Sequence, residues 1–378
     1  MTWSDVITKV SADNQREVDR VLENFPYIVD MANHLREQKL EVIGNFDKYI
    51  RKTMESVERV RGHAYMAKNK EEARRIVGEI VGEKKTVVFA KTNVAYEIGL
   101  RDYLKNMNNE VWETDLGEFL VQITKGWPTH IVEPALDLTA LEAAKAVHEL
   151  DHSINEKSSI DEIVAAVRKF LMSKYIKADF GITGANAVAA DSGSVALVEN
   201  EGNIRMDTVL PQNHIAITGI DKIVPTMRDA MDEVMVQAAY AGIFPPTYVN
   251  VTTGPSSTAD IEMKRVSPAT GPKNFNLVLI DDGRMEASQN EEMKEALLCI
   301  KCGRCYFSCP VYRIMGKEWV NTRSPYNGPT GVMWNYLTNK DPWPAEYCMH
   351  SGGCREVCPM KINIPEIIKN IKFIASNL

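Results

Sequence analysis

The chain has 378 residues, which is enough for about two domains, one of them able to bury a substantial apolar core. Hydrophobic residues make up 44% of the chain and charged residues 25%, proportions typical of a soluble globular protein. The formal net charge of −7 argues against a nucleic-acid partner, which would favour a basic face.

The sequence shows no targeting or membrane-spanning segment. Its first five residues lack the basic flank and apolar run of a signal peptide. The longest uncharged stretch, residues 234–259, is interrupted by Pro245 and Pro246, so we expect no transmembrane span. We therefore expect a cytoplasmic protein, with any membrane association made through a partner.

The first part of the chain has helical periodicity. Apolar residues recur at steps of three and four, at Val18, Val21, Leu22, Phe25, Ile28, Val29, Ala32 and Leu35. This pattern predicts a helical arm over residues 1–70.

Residues 71–284 alternate between helical and strand patterns. Helices are predicted at 70–80, 95–106, 141–150, 159–175 and 227–241, and strands at 86–90, 110–114, 130–132, 214–219 and 276–280. Such alternation favours an α/β domain with a largely parallel sheet. The domain is expected to end in the turn at 281–284.

Small polar residues and glycines interrupt the strand patterns between residues 178 and 205. Glycine at a strand end lets the backbone approach a ligand closely, although turn geometry explains it equally well. The candidate pocket residues here are Thr183, Asn186, Ser192, Asn203 and Arg205.

All seven cysteines lie in two runs of the C-terminal region. The first has the spacing C-x2-C-x2-C-x3-C-P, in which three thiolates hold one iron–sulphur cluster and the fourth ligates a neighbouring cluster. The predicted 4Fe-4S ligands are Cys299, Cys302, Cys305 and Cys358. The predicted ligands of a second cluster are Cys309, Cys348 and Cys354.

Ser351 occupies the position where the second cluster's fourth thiolate is expected. A hydroxyl is a harder ligand than a thiolate, so we expect either a 3Fe-4S centre or a 4Fe-4S centre with one non-thiolate corner. The spacing does not match structural zinc sites, and disulfides are disfavoured because thiols two residues apart are poor partners. Helices predicted at 291–298, 331–337 and 365–376 make residues 285–378 an α-helical ferredoxin domain.

Other motifs have simpler explanations. His148, Glu149 and His152 match the H-E-x-x-H zinc motif, but no third ligand follows, and we interpret them as a solvated helix end. Ser192 and His214 form a triad only if the fold brings them together. No phosphate-binding glycine motif is present.

Lys301 and Arg304 lie inside the first cysteine run. Cations there would raise the potential of a cluster or dock an acidic partner, unless they are ordinary surface charges.

Several strings ahead of the cysteines carry a family resemblance: 97–100 (EIGL), 113–119 (ETDLGEF), 183–186 (TGAN), 210–215 (LPQNHI) and 281–284 (DDGR). In this order the chain resembles the lactate-utilisation iron–sulphur proteins, which join a lactate-utilisation (LUD) domain to a two-cluster ferredoxin domain. The resemblance implies that residues 71–284 have a fold similar to the sugar-phosphate isomerase and CoA-transferase α/β group.

The resemblance also implies a function and partners. It describes an electron-transfer subunit of a system that oxidises L-lactate to pyruvate, working with a cysteine-rich subunit that carries CCG motifs and with a second LUD-domain protein. The clusters would pass electrons and not act on the substrate.

The second cysteine run departs from the family pattern C-x2-C-x3-C-P. Its C-x5-C-x3-C-P spacing is similar to the iron–sulphur subunits of succinate dehydrogenases and fumarate reductases, in which these cysteines hold a 3Fe-4S centre near quinone. One alternative is therefore a subunit of that kind, or one like heterodisulfide reductase, that passes electrons to quinone, a flavoprotein or another carrier. A second alternative is a metabolite-binding LUD domain with redox-sensing clusters, and a third is a scaffold whose clusters only hold the fold.

Overall fold

The computed structural model describes residues 3–377. The strands within this range are β1 (His63–Ala67), β2 (Thr86–Phe89), β3 (Glu110–Glu113), β4 (Phe180–Thr183), β5 (Ala187–Ala189), β6 (Ser194–Glu199), β7 (Asn213–Gly219), β8 (Ile223–Val224), β9 (Tyr248–Thr252) and β10 (Asn274–Ile280).

The helices in the same range begin with α1 (Trp3–Asn24), α2 (Tyr27–Ile43), α3 (Phe46–Arg59), α4 (Lys70–Val81), α5 (Asn93–Glu97), α6 (Leu100–Asn106), α7 (Leu116–Ile123), α8 (Ala140–His148) and α9 (Ile160–Tyr175). They continue with α10 (Asn203–Val209), α11 (Met227–Ala241), α12 (Arg284–Ser288), α13 (Arg304–Phe307), α14 (Pro310–Met315), α15 (Pro329–Asn339), α16 (Gly353–Glu356) and α17 (Ile364–Ala375).

Six strands form one parallel sheet in the order β1-β10-β7-β4-β2-β3. Its central strands are largely apolar and almost completely buried, as expected for a sheet covered on both faces, and β10 is buried from Phe275 to Ile280. In the sheet, β2 lies between β3 on one side and β4 on the other. The order in which strands are added to the sheet therefore reverses between β2 and β4.

A smaller sheet of order β8-β5-β6-β9 packs beside the first. It contains the antiparallel pairs β5–β6 and β6–β9, whose registers include Val188 opposite Val195 and Leu197 opposite Asn250. The segment at 178–205 noted in the sequence supplies β4 of the larger sheet and β5 and β6 of the smaller one.

The N-terminal helices are packed onto the body of the protein. Ile7, Val18, Ile28 and Leu35 are fully buried, and α1 and α2 both contact α11. The Asn14 amide donates to the carbonyl oxygen of Ala241 at 3.0 Å. The predicted α/β class, with a parallel sheet, a helical N-terminus and a helical C-terminal region, is confirmed. β1 lies before residue 71, where the predicted α/β domain begins, because this strand pairs with the distant β10.

Three predicted elements are wrong in detail. Residues 130–132 form no strand, because the His130 ring accepts the backbone N–H groups of Val132 and Glu133 and the chain turns there. Residues 95–106 form two helices, separated at Gly99, which has a φ of 63°. In the predicted helix 291–298, only Lys294–Leu298 is helical, and it is a 3₁₀ helix.

The C-terminal region has its own apolar core. Trp334 and Tyr306 are fully buried, and α17 packs Ile367, Ile368 and Ile371 inward against α15. The Tyr312 hydroxyl donates to the carbonyl oxygen of Thr129 at 2.7 Å, which joins this region to the α/β body.

Candidate metal centres and the adjoining pocket

The seven thiols fall into two groups in the structure. One small pocket is lined by Cys299, Cys302, Cys305 and Cys358. A second is lined by Cys309, Cys348 and Cys354, together with Ser351. Each pocket therefore contains cysteines from both runs of the sequence.

Local backbone geometry wraps the first run around its pocket. Lys301 and Gly303 both have left-handed conformations, with φ of 64° and 79°. A Cβ on Gly303 would lie 2.5 Å from the His130 ring, so the strained conformation and the close approach both favour glycine. In the second pocket, Cys309 caps the N-terminus of α14, whose first residue is Pro310. Gly352 in the same pocket has a left-handed conformation, with a φ of 84°.

Burial disfavours free thiolates at these positions. It raises the pKa of Cys302 and of Cys354 to about 12 and that of Cys358 to about 11. Charged thiolates here therefore need a cationic partner, and iron supplies one. Soft sulphur donors in two compact groups fit iron–sulphur clusters, with a hydroxyl at the exposed corner of the second group.

Two contacts orient the first thiol group. The Thr330 hydroxyl lies 3.2 Å from the Cys305 sulphur. His130 donates from Nε2 to the carbonyl oxygen of Gly303 at 3.1 Å and stacks on Phe307 at 4.5 Å. Burial lowers the pKa of His130 to about 3, so its ring is neutral. Neither contact was predictable from local sequence patterns, since both join segments that are distant in the chain.

A larger cavity of about 410 Å³ lies between the two sheets and the C-terminal region. Two of the candidate pocket residues, Asn186 and Asn203, line it. Thr183 lies outside it and pairs with Nε2 of His214 at 2.9 Å. Ser192 and Arg205 also lie outside, and they bind Ser194 and Glu199 respectively.

Several cavity residues were not identified from the sequence. Lys91, Asn93, Asp221 and Arg284 follow the carboxyl ends of parallel strands, Glu133 lies in the loop between α7 and α8, and Lys301 and Tyr326 come from the C-terminal region. Their positions far apart in the chain explain why periodicity did not reveal them.

An ion network forms one wall of the cavity. Arg284 is fully buried and binds Glu97 through two hydrogen bonds of 2.8 and 3.0 Å. Its Nε also donates to Asp221 at 2.5 Å. Burial alone would raise the pKa of Asp221, but Arg284 and neighbouring lysines hold it at about 2. Arg284 is therefore fully occupied by this chain's own carboxylates.

Lys301 projects from the first cysteine run and is 6% exposed, so its interpretation as surface charge is wrong. Its Nζ lies 3.0 Å from the centre of the Trp334 ring and 3.4 Å from the Tyr326 hydroxyl. Burial lowers its pKa to about 7. Arg304 is also buried, with 7% exposed, and donates to Gln15 of α1 at 3.1 Å.

The opposite end of the cavity is acidic. Burial, with Asp115 next in effect, raises the pKa of Glu201 to about 7, and burial also raises the pKa of Glu133. Lys91 lies at this end and donates to the carbonyl oxygen of Val132.

The structure supports neither the H-E-x-x-H zinc motif at His148 and His152 nor a triad with Ser192 and His214. α8 ends at His148, whose Nδ1 donates to the carbonyl oxygen of Ile154 at 2.6 Å, as the helix-end interpretation requires. His214 is buried beside Phe275 and binds Thr183, whereas Ser192 binds Ser194. Within residues 3–377, no helix is both long and apolar enough to cross a bilayer.

Comparison with known families gives two matches. The model described as LUD domain matches residues 50–280, and the model described as 4Fe-4S dicluster domain matches residues 295–362. The first match includes β1.

Curated proteins similar over most of the chain include the following two. The chain is 35% identical to lactate utilization protein B of Shouchella clausii (strain KSM-K16), and the alignment covers 94% of this chain and 74% of that protein. It is 33% identical to the uncharacterized electron transport protein YkgF of Escherichia coli (strain K12), with 95% and 74% covered. A crystal structure of a DUF162 family protein from Deinococcus radiodurans covers 62% of this chain and 97% of its own at 12% identity and a TM-score of 0.35, which is too low to show a shared fold.

Proposed function

The chain belongs to the family of lactate utilization protein B, and from that premise we propose that it relays electrons through two iron–sulphur clusters in a 2-hydroxy-acid-oxidising system. The observation that carries this proposal is the division of the seven thiols between two pockets, each lined by cysteines of both runs. Clusters bound there would supply one-electron transfer.

The proposed ligands of the first cluster are Cys299, Cys302, Cys305 and Cys358, which together form a complete 4Fe-4S set. The proposed ligands of the second are Cys309, Cys348 and Cys354, with Ser351 at the remaining corner. Burial is the main cause that raises the pKa of Cys305, and the charges of Cys299 and Cys302 in the same group add to it. The charge of Cys354 in the second group also contributes, so the two groups are neighbours. Interleaved ligation from two loops would hold the centres close and rigid.

The surroundings support a direction of flow. The first group lies beside the interior cavity, and Lys301 and Lys222 are near enough to Cys299 to interact with its charge. Positive charge there favours the reduced, more negative form of a cluster. The second group lies nearer the surface, where Met349 is 70% exposed next to Cys348. The position of the first group beside the cavity and of the second group near the surface therefore favours electron entry at the first group and exit at the second.

The proposed partners are a CCG-motif cysteine-rich redox subunit and a second LUD-domain protein. The proposed acceptor is a carrier such as a flavoprotein or quinone. The C-x5-C-x3-C-P spacing keeps a succinate dehydrogenase-like route to quinone as the second candidate function, and an exposed second centre is compatible with either acceptor.

Anaerobic iron and sulphide analysis with electron paramagnetic resonance tests the ligand assignment. Cys358→Ser should damage the 4Fe-4S signal, and Cys354→Ser should damage the other signal. Met349→Ser is a matched control in the second loop and should leave both intact. Seven irons per chain would indicate one 3Fe-4S centre, and eight would indicate two 4Fe-4S centres. The reverse pattern of damage would refute the crossed ligation, and iron-free protein would refute the relay.

A further inference from the structure

The cavity lies where open parallel sheets bind their ligands. Lys91, Thr92 and Asn93 follow the carboxyl end of β2, and residues 184–186 follow the carboxyl end of β4. The chain changes direction between these two strands, and a crevice forms at such a switch point because the connections leave towards opposite sides. We infer that this cavity is a binding site for a small 2-hydroxy acid, with Lys301 as the partner of its carboxylate.

One buried cation of the cavity, Lys301, favours an anionic group on the ligand. Arg284 is occupied by Glu97 and Asp221, and Lys222 is occupied by Glu233 at 2.9 Å. Lys91 lies at the acidic end of the cavity, where its charge partly offsets the effect of burial on the pKa of Glu133 and Glu201. Lys301 also lines the cavity, and within residues 3–377 it has no carboxylate within 4.0 Å of its ammonium group. A buried ammonium group without a carboxylate partner favours an incoming anion, since burial of an isolated charge is costly.

The cavity's unpaired acceptors favour a hydroxyl group on the same ligand. Among the described residues, Asn93 Oδ1 and Glu133 Oε2 are buried and have no hydrogen-bond partner, and both residues line the cavity. An acceptor needs a donor, and a carboxylate has none to offer. A hydroxyl supplies one, so the side chains present fit a carboxylate and a hydroxyl together.

The remaining lining suits the carbon skeleton. Val94, Ile131, Leu197, Ile204 and Ala238 give the cavity apolar walls. The volume of about 410 Å³ lies within the ordinary range for small-molecule sites and exceeds what lactate alone would fill. Short or branched side chains on the 2-hydroxy acid therefore fit.

The site is connected to the first thiol group. Asn186 donates to Gln237 at 2.5 Å, and Gln237 donates to the carbonyl oxygen of Lys301 at 3.4 Å. Lys301 lies between Cys299 and Cys302 in the sequence. A ligand in the cavity is thus separated from the proposed entry point of electrons by one side chain and one short chain of hydrogen bonds.

This inference rests on the proposed function for its substrate class, but its test is separate. The test titrates the anaerobic, iron-loaded full chain calorimetrically with L-lactate and with propionate, which has the carboxylate and lacks the hydroxyl. L-lactate should bind, and propionate should bind about tenfold or more weakly, the usual effect of one hydrogen bond to a buried polar group.

Variants separate the two recognition elements. Lys301→Met should weaken both ligands by about tenfold or more, whereas Asn93→Ala should weaken L-lactate and leave propionate unchanged. Lys340→Met, at an exposed lysine of the same region, is the control and should change neither. Because Lys301 lies within the first cysteine run, the iron content of Lys301→Met is measured in parallel. Asn93→Ala lies outside the cysteine loops and keeps the test decisive.

Each outcome bears on one hypothesis. No L-lactate binding up to about 10 mM by iron-replete protein, ten times the upper end of usual substrate constants, would overturn this site and leave the relay standing. Binding that is unaffected by Asn93→Ala would also overturn it. L-lactate binding that depends on Asn93, in a chain that never assembles clusters, would support the site and refute the relay.

Discussion

Replacing Arg284 by methionine should destabilise the protein strongly, because it leaves two buried carboxylates without their cation. Arg284 is fully buried, and it binds Glu97 in a bidentate pair and Asp221 through Nε. It also lies 4.7 Å from the centre of the Trp334 ring and so contacts the C-terminal region. The change therefore disturbs the junction between the sheet and the cysteine loops.

The magnitude follows from the geometry. Removing one partner of a buried ion pair costs about 3–5 kcal/mol. The pKa of Asp221 offers a check, since the fall from 3.8 to about 2 corresponds to about 2.5 kcal/mol, to which Arg284 contributes most among the cations. We expect Arg284→Met to lower the free energy of unfolding by about 3–5 kcal/mol.

Urea denaturation of the anaerobic protein, followed by circular dichroism, measures this change. Arg265→Met, at an exposed arginine, is the control and should change the free energy of unfolding by less than about 0.5 kcal/mol. The double variant Arg284→Met with Glu97→Gln should recover part of the loss, because one of the stranded charges is gone. A loss below about 1 kcal/mol for Arg284→Met would show that the network is not what joins the two regions.

Three further predictions test other parts of the structure. Burial raises the pKa of Glu118 to about 7, above its unfolded value of 4.5, so its contribution to stability is full below pH 4.5 and is lost as the pH rises to 7. Glu118→Gln should therefore raise stability by up to about 3 kcal/mol at pH 8 and by less at pH 5.5, and equal effects at both would contradict this. A Cβ at Gly181 would lie 1.8 Å from the carbonyl oxygen of Asp207, so Gly181→Ala should cost more than about 3 kcal/mol in thermal unfolding, whereas Gly126→Ala, with no contact closer than 3.5 Å, should cost little. If the second cluster is 3Fe-4S, Ser351→Cys should add one iron per chain by elemental analysis, and an unchanged seven would place that side chain away from the centre.

Local patterns predicted most of the elements. Strands β2, β3, β7 and β10 and helices α4, α9, α11 and α17 agree with their predicted ranges to within about two residues. The failures occur where a tertiary contact overrides the local pattern. At residues 130–132 an apolar run looks like a strand, yet the neutral ring of His130 caps a turn and reaches across to the cysteine loop.

The pocket illustrates the same division. Asn186 and Asn203 could be found because they follow glycines in an interrupted strand pattern, whereas Thr183 and Arg205 in the same segment point to other partners. Lys301 looked like an exposed charge in the sequence. Its burial against Trp334 depends on packing between residues 33 positions apart.

The sequence by itself determined the chemistry: which residues can ligate iron, how they are spaced, and that a parallel α/β body precedes them. Those properties are local, since ligand type, thiol spacing and strand–helix periodicity are all written within a few residues of the chain. The grouping of Cys358 with Cys299 and the place of Ser351 beside the second group also followed from the thiol spacing. Only the tertiary structure decided that Lys301 and Asn93 share one cavity, and that Thr183 and Arg205 lie outside it. These contacts depend on how the sheet and the cysteine loops pack. Burial then determines the charge of each enclosed group and the hydrogen bonds that it requires.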